Sequence, residues 1–175
     1  ILLWARKYSL KHILIGLVIL MAAGNLCAAF SSGYWMLLLS RFVSGLPHGA
    51  YFGVASIVAG KLADEGRGSE AVSIMIAGMT VANLFGVPLG TSFSHLISWR
   101  VTFLLVGCWG IIVLYYIWRW IPHVEALQDT GFKGQFRFLK KPAPWLILGA
   151  TALGNGGVFC WYSYITPLLT QVSGF

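Results

Sequence analysis

The chain has 175 residues, 58% of them hydrophobic and only 10% charged, with a mean hydropathy of +0.78 and a formal net charge of +7. Soluble domains run nearer ~45–50% apolar and ~25% charged, and disordered chains are polar and charge-rich, so both classes are excluded. Three Cys are too few for a disulfide scaffold. What remains is an all-α, polytopic transmembrane helix bundle, whose basic residues sit in short loops rather than in a nucleic-acid-binding patch.

A helix needs ~20 mostly apolar residues to cross ~30 Å of hydrocarbon. Five segments qualify: Ile13–Phe30, Tyr34–Ala59, Ala71–Ile97, Val101–Trp120 and Trp145–Thr170. Ile1–Trp4 reads as the tail of an earlier span. The chain shows no signal peptide and begins and ends in apolar residues, so it is expected to be a piece of a longer protein. Ser31-Ser32-Gly33 and Ser98-Trp99-Arg100 are tight turns, Lys61–Glu70 is a short charged loop, and Pro122–Pro144 is longer, polar and basic. Within that last loop Gly131–Lys141 has the pattern of a basic amphipathic helix. It suits a linker on the membrane surface or a recognition helix for a partner.

Ten of the twelve Lys and Arg fall on one side of this arrangement and only Arg100 on the other. By the positive-inside rule the ten are cytoplasmic, and the first span runs outward. Trp35, Trp99, Trp120 and Trp145 stand near span ends, where interfacial anchors belong. The twelfth base, Arg41, lies inside the second span, in its outer half. Burying Arg in hydrocarbon costs at least ~2.5–3.5 kcal/mol, so it is expected either to face a cavity or partner charge, or to snorkel outward. All five acids lie in the cytoplasmic loops, so a carboxylate partner is expected to lie outside this stretch of chain or not to exist.

At about 100° per residue, Arg41, Ser44, His48, Phe52 and Ala55 share one face of the second span, a polar stripe that suggests a wet cavity. Pro47 frees a backbone carbonyl beside it. Small residues repeat by four at Gly45, Gly49 and Gly53, and again at Gly78, Ala82, Gly86, Gly90 and Ser94. Such rows let helix backbones approach closely, as plain packing or as a seal between mobile bundles. Pro88 predicts a bend in the third span, and Asn83 reads as interhelical glue. In the fifth span Thr151, Asn155, Phe159, Tyr162 and Thr166 share a face that suits either a neutral polar ligand or a hydrogen-bond ladder. Pro167 is expected to break that helix near its outer end. No cofactor or metal is implied, since Cys27, Cys108 and Cys160 lie in three spans and the four His are scattered. No acid–base pair shares a depth, which disfavours an intramembrane enzyme.

The segment Leu37-x-x-x-Arg41-Phe-Val-Ser-Gly45-Leu-Pro-His-Gly49-Ala50 resembles the fourth-helix motif of major facilitator superfamily transporters. Ala82-Asn83-Leu-Phe-Gly86-Val-Pro88-Leu-Gly90-Thr resembles their fifth-helix antiporter motif, and Ser98-Trp99-Arg100-Val-Thr102-Phe103 the turn after it. The drug/proton antiporter group nearest arabinose (sugar) efflux permeases is the most similar. Tyr8-Ser-Leu-Lys-His-Ile-Leu14 and Lys141-Pro-Ala-Pro-Trp145 fit that subgroup too. The resemblance implies a fragment running from the end of the second helix to the seventh of a twelve-helix fold. Residues 1–121 would belong to the N-terminal half, 122–144 to the cytoplasmic inter-half loop, and 145–175 to the first helix of the C-terminal half. It implies proton coupling at Arg41, and its fifth-helix Gly-Pro elements map to Gly86, Pro88 and Gly90. In the family the fourth and seventh helices line the central cavity, which agrees with the polar faces read above from periodicity. Ser44, His48, Phe52, Thr151, Asn155, Phe159 and Tyr162 are therefore expected to line a substrate cavity. The small-residue rows and their neighbours, Gly45, Pro47, Gly49, Gly78, Asn83, Gly86, Pro88 and Gly90, are expected to serve helix packing or gating.

Three departures stand out. Arg6–Lys11 has neither the Asp nor the Gly usual in the loop before the third helix. Val87 separates Gly86 from Pro88, and Ser44 stands where Gln is usual. The expected function is secondary active transport, proton-coupled efflux of a small polar solute or drug by alternating access. It would take place in the cell inner membrane, with substrate, protons, lipid and further helices of the longer chain as partners. A facilitator or importer on the same fold, or a non-transporting membrane sensor or scaffold, are the rivals.

Overall fold

Inside a bilayer the backbone has only itself to bond with, and a chain of long apolar runs therefore folds as helices. The computed structural model describes residues 8–125 and 140–172, except the side chains of residues 162, 163, 166, 167 and 172. Regular structure among them is helical throughout. Five stretches are long and apolar enough to cross a membrane: Leu10–Ala29, Tyr34–Leu62, Gly68–Leu96, Trp99–Trp120 and Pro142–Trp161. These are the five expected spans. Three begin three residues earlier than hydropathy suggests, because a first helical turn tolerates polar residues and Pro. The chain divides into two units, one up to residue 128 and one from residue 129, a boundary inside the 122–144 segment expected as a linker. The expected stub Ile1–Trp4 and most of the Gly131–Lys141 segment lie outside the described residues.

The first unit is built around α1 (Leu10–Ala29), against which α2 (Tyr34–Gly45), α3 (Pro47–Leu62) and α6 (Trp99–Trp120) pack. α1 is apolar all round and is the most buried of the spans. Leu10, Ile13, Leu14, Leu17 and Val18 meet Val54 and Val58 of α3 and Ile117 of α6 in one core cluster. Small residues set the other crossings. A Cβ on Gly24 would lie 2.7 Å from the Cβ of Ser44 and 3.0 Å from the carbonyl oxygen of Ser40. Gly107 and Gly110 of α6 sit as closely on Leu26 and Ala22.

The second and third spans are each interrupted, and each interruption precedes a Pro. α2 stops at Gly45 and α3 restarts at Pro47, which supplies no N–H to the preceding turn. In the third span α4 (Gly68–Val81) passes through a π-helical turn, Ala82–Gly86, into α5 (Val87–Leu96). Pro88 has no N–H for the carbonyl four residues back, and the wider turn absorbs that break. α5 returns to α6 through Thr102, whose Oγ1 donates to the carbonyl of Gly90 at 3.1 Å.

The two ends of this unit are chemically distinct. At one end the Nη2 of Arg100 donates to the carbonyl of Ser31 at 2.8 Å, joining the two tight turns. At the other, Lys11 Nζ donates to the carbonyl of Trp118 at 2.8 Å, and the amide of Leu10 to the carbonyl of Val124 at 3.0 Å. The charged loop bends at Gly66, whose φ of 80° is the left-handed region that favours glycine. Arg67 and Glu70 form a bidentate pair there.

The second unit contributes α7 (Pro142–Pro167), which opens with Pro in its first turn and runs into a π-helical turn, Leu168–Val172.

Candidate functional site

The α2 face expected from periodicity opens onto a cavity of about 490 Å³ in the first unit. Arg41, Ser44, Gly45 and His48 form one wall; Met21 and Asn25 of α1 and Thr102, Phe103 and Val106 of α6 form the others. Arg41 is thus turned toward a cavity with a mainly apolar lining, among α1, α2, α6 and the start of α3. Its Nη1 donates to the Oδ1 of Asn25 at 3.1 Å, and its Cζ lies 5.0 Å from the centre of the Phe103 ring.

Those two contacts are of the right size to hold a guanidinium at this depth. Arg41 is exposed in this unit, where a hydrogen bond to a charged group contributes ~1.5–3 kcal/mol at most and a cation–π contact ~0.5–1. Their sum is comparable to the ~2.5–3.5 kcal/mol that burying Arg in a span costs. Among the described residues of this stretch the partner of Arg41 is not a carboxylate. A neutral amide on the neighbouring helix holds it, because α1 and α2 approach closely enough at Gly24 and Ser44 to bring Asn25 alongside.

Asn25 is 7% exposed and fully engaged: its Nδ2 donates to the carbonyl of Met21 at 2.8 Å, which aims Oδ1 at the guanidinium. Ser44 is buried and its Oγ donates to the carbonyl of Arg41 at 3.1 Å, so it shapes the wall more than it offers a free hydroxyl. His48 keeps an exposed ring, against which Phe52 packs edge-on at 5.1 Å. Phe52 itself is a support behind His48 and is not part of the cavity lining. Pro47 is fully buried at the junction of α2 and α3.

The expected packing residues divide. Gly90 lies against Thr102, whose Cγ2 would stand 3.4 Å from an added Cβ. Gly45, Gly49, Gly53, Gly78 and Gly86 face open space, with nothing among the described residues within 4 Å of an added Cβ. Asn83 is exposed within the π-helical turn that ends just before Val87 and Pro88. In the second unit Thr151, Asn155 and Phe159 are exposed, and Asn155 Nδ2 donates to the carbonyl of Thr151 at 3.0 Å. The side chains of Tyr162 and Thr166 lie outside those described.

Sequence reasoning passed over Asn25 and the α6 wall. One signal was available: Asn25 is the single amide in an otherwise apolar span, and polar residues in spans mark function or interhelical contacts. Chemically the cavity combines a fixed cation, an aromatic face and an imidazole, with no carboxylate among its lining residues. The wall presents donors and an aromatic face, while the Ser44 hydroxyl is engaged with the Arg41 carbonyl.

Comparison with known proteins gives the family. The profile of the Major Facilitator Superfamily matches residues 2–175. The chain is 49% identical over all its residues to "Putative transporter AraJ" of Escherichia coli (strain K12), covering 44% of that protein. It is 34% identical, over 93% of its length, to "Inner membrane transport protein YdhP" of the same organism, covering 42% of it. It is 25% identical over its full length to "Probable sugar efflux transporter" of Helicobacter pylori (strain J99 / ATCC 700824), covering 45%. The chain thus spans less than half the length of these relatives, and no solved structure matches it. The five apolar helices and the match along nearly the whole sequence make it a multi-pass membrane protein that belongs to the Major Facilitator Superfamily of transporters.

Proposed function

We propose that this chain is one part of a secondary active exporter of the inner membrane, coupling proton entry to efflux of a small polar, sugar-like solute or a drug. The observation that carries this reading is the placement of Arg41 toward a cavity bounded by α1, α2 and α6. A charge that snorkelled to the membrane surface would have no such use. The sugar efflux and inner-membrane names of relatives support the direction, the solute class and the compartment. In this reading Arg41 holds the cavity positive, and two helical halves rock about it to expose it alternately to each side. Solute and proton bias opposite states, each by its differential affinity for them.

Reconstituting the full-length protein in proteoliposomes with an imposed pH gradient tests the role. Arg41→Ala is expected to lower gradient-driven uptake of radiolabelled arabinose by at least about tenfold, the scale of one lost charged contact, while the protein still folds. Uptake equal to wild type in that variant would remove Arg41 from coupling.

A further inference from the structure

Arg41 is a long side chain with many rotamers, and transport of the proposed kind needs its charge at one place. On the α2 side nothing fixes it: Ser44 bonds the Arg41 backbone carbonyl, and no bond from the guanidinium to α2 is present among the described residues. What holds the guanidinium comes from other helices, the Phe103 ring against its Cζ and the amide oxygen of Asn25 on Nη1. Asn25 is itself held. It is nearly fully buried, beside Gly24 at the tight α1–α2 crossing, and its other amide atom is spent on Met21. The flip that would turn an N–H donor toward the cation is therefore disfavoured, since it would break the bond to Met21 as well.

We infer that Asn25 is the positioning residue of this site: it fixes the Arg41 guanidinium against Phe103 while leaving its charge uncompensated. A carboxylate at position 25 would bind harder but neutralise the cavity. An amide orients the cation and keeps the field. Nε and Nη2 of Arg41 have no partner among the described residues, so the donors available to a solute or to a moving acidic group are the ones Asn25 does not occupy. The inference rests on the transport role proposed for Arg41, but its geometry is testable without transport.

The probe is phenylglyoxal, whose dicarbonyl is attacked by guanidino nitrogens that are accessible and not held in hydrogen bonds, applied to the full-length protein in liposomes and read peptide by peptide by mass spectrometry. Arg100, bonded to Ser31 and stacked on Trp99, serves as the internal reference. Asn25→Leu, branched alike but without an acceptor, is expected to raise the Arg41-to-Arg100 modification ratio about tenfold, the order of one hydrogen bond to a charged group. Asn25→Asp keeps the acceptor and adds a charge. The charge-assisted hydrogen bond holds the guanidinium more tightly and is expected to lower the ratio about tenfold, and this variant stays informative if the Leu variant does not fold. A ratio that ignores position 25 overturns the assignment. The two readings fail separately. Unchanged uptake in Arg41→Ala with a ratio that still follows position 25 would sink coupling alone. Lost uptake with an indifferent ratio would sink Asn25 alone.

Discussion

Gly24 shows how much can turn on one missing methyl group. An added Cβ would stand 2.7 Å from Ser44 Cβ and 2.8 Å from the Ser44 backbone nitrogen, and backbone cannot swing aside. Gly24→Ala should therefore push α1 from α2 and cost about 1–3 kcal/mol, the usual penalty for overpacking. Gly45→Ala, with open space beside it, should be neutral or gain up to ~1 kcal/mol from helix propensity. Thermal melting of the two variants in detergent checks the contrast, and equal midpoints would contradict it. The same pair marks the reach of sequence reading. A four-residue repeat identifies small faces, yet it does not say which neighbour meets them. Arg41, Ser44 and His48 were legible together because they share one span, and the 100° geometry carries across its break at Leu46. Asn25 and Phe103 were not, because they reach the cavity from other helices through crossings that no local pattern encodes.

Helices here are straight only where the sequence allows it. Hydropathy and the positions of Pro and charged turns were enough to mark every span to within a few residues. Pro88 marked a bend but not its form. The break is taken up upstream, as a π-helical turn over Ala82–Gly86, because the carbonyl that Pro88 orphans belongs to that turn. Restoring the missing N–H should restore the regular ladder. In Pro88→Ala the backbone amides around Leu84 are expected to exchange with deuterium about fivefold more slowly, the order of one net hydrogen bond regained. Hydrogen-exchange mass spectrometry of the peptide across this turn measures it. Unaltered exchange would assign the π-helical turn to Gly86 instead of the proline.

Across the first unit, two independent signals divide the same ends. Backbone geometry puts the Ser31 and Ser98–Arg100 turns together, tied by Arg100, and puts the starts of α1 and the end of α6 together at the other end. Charge puts Lys11, Lys61, Arg67 and Arg119 near that second end and Arg100 alone near the first. Folding geometry does not know which side of a membrane is which; the charge asymmetry does, since translocation of cationic loops is disfavoured. The exporter reading needs the Arg100 end outside, because it places Arg41 in the outer half of its span. The direction can be measured in cells. With Cys27, Cys108 and Cys160 replaced by Ser, a cysteine introduced by Ser32→Cys should react with a membrane-impermeant maleimide added outside. One introduced by Glu65→Cys, in the charged loop, should react only after the membrane is permeabilised. The reverse pattern would invert the unit. Arg41 would then sit nearer the cytoplasm, and a proton arriving from outside would have to cross most of the bundle before meeting it.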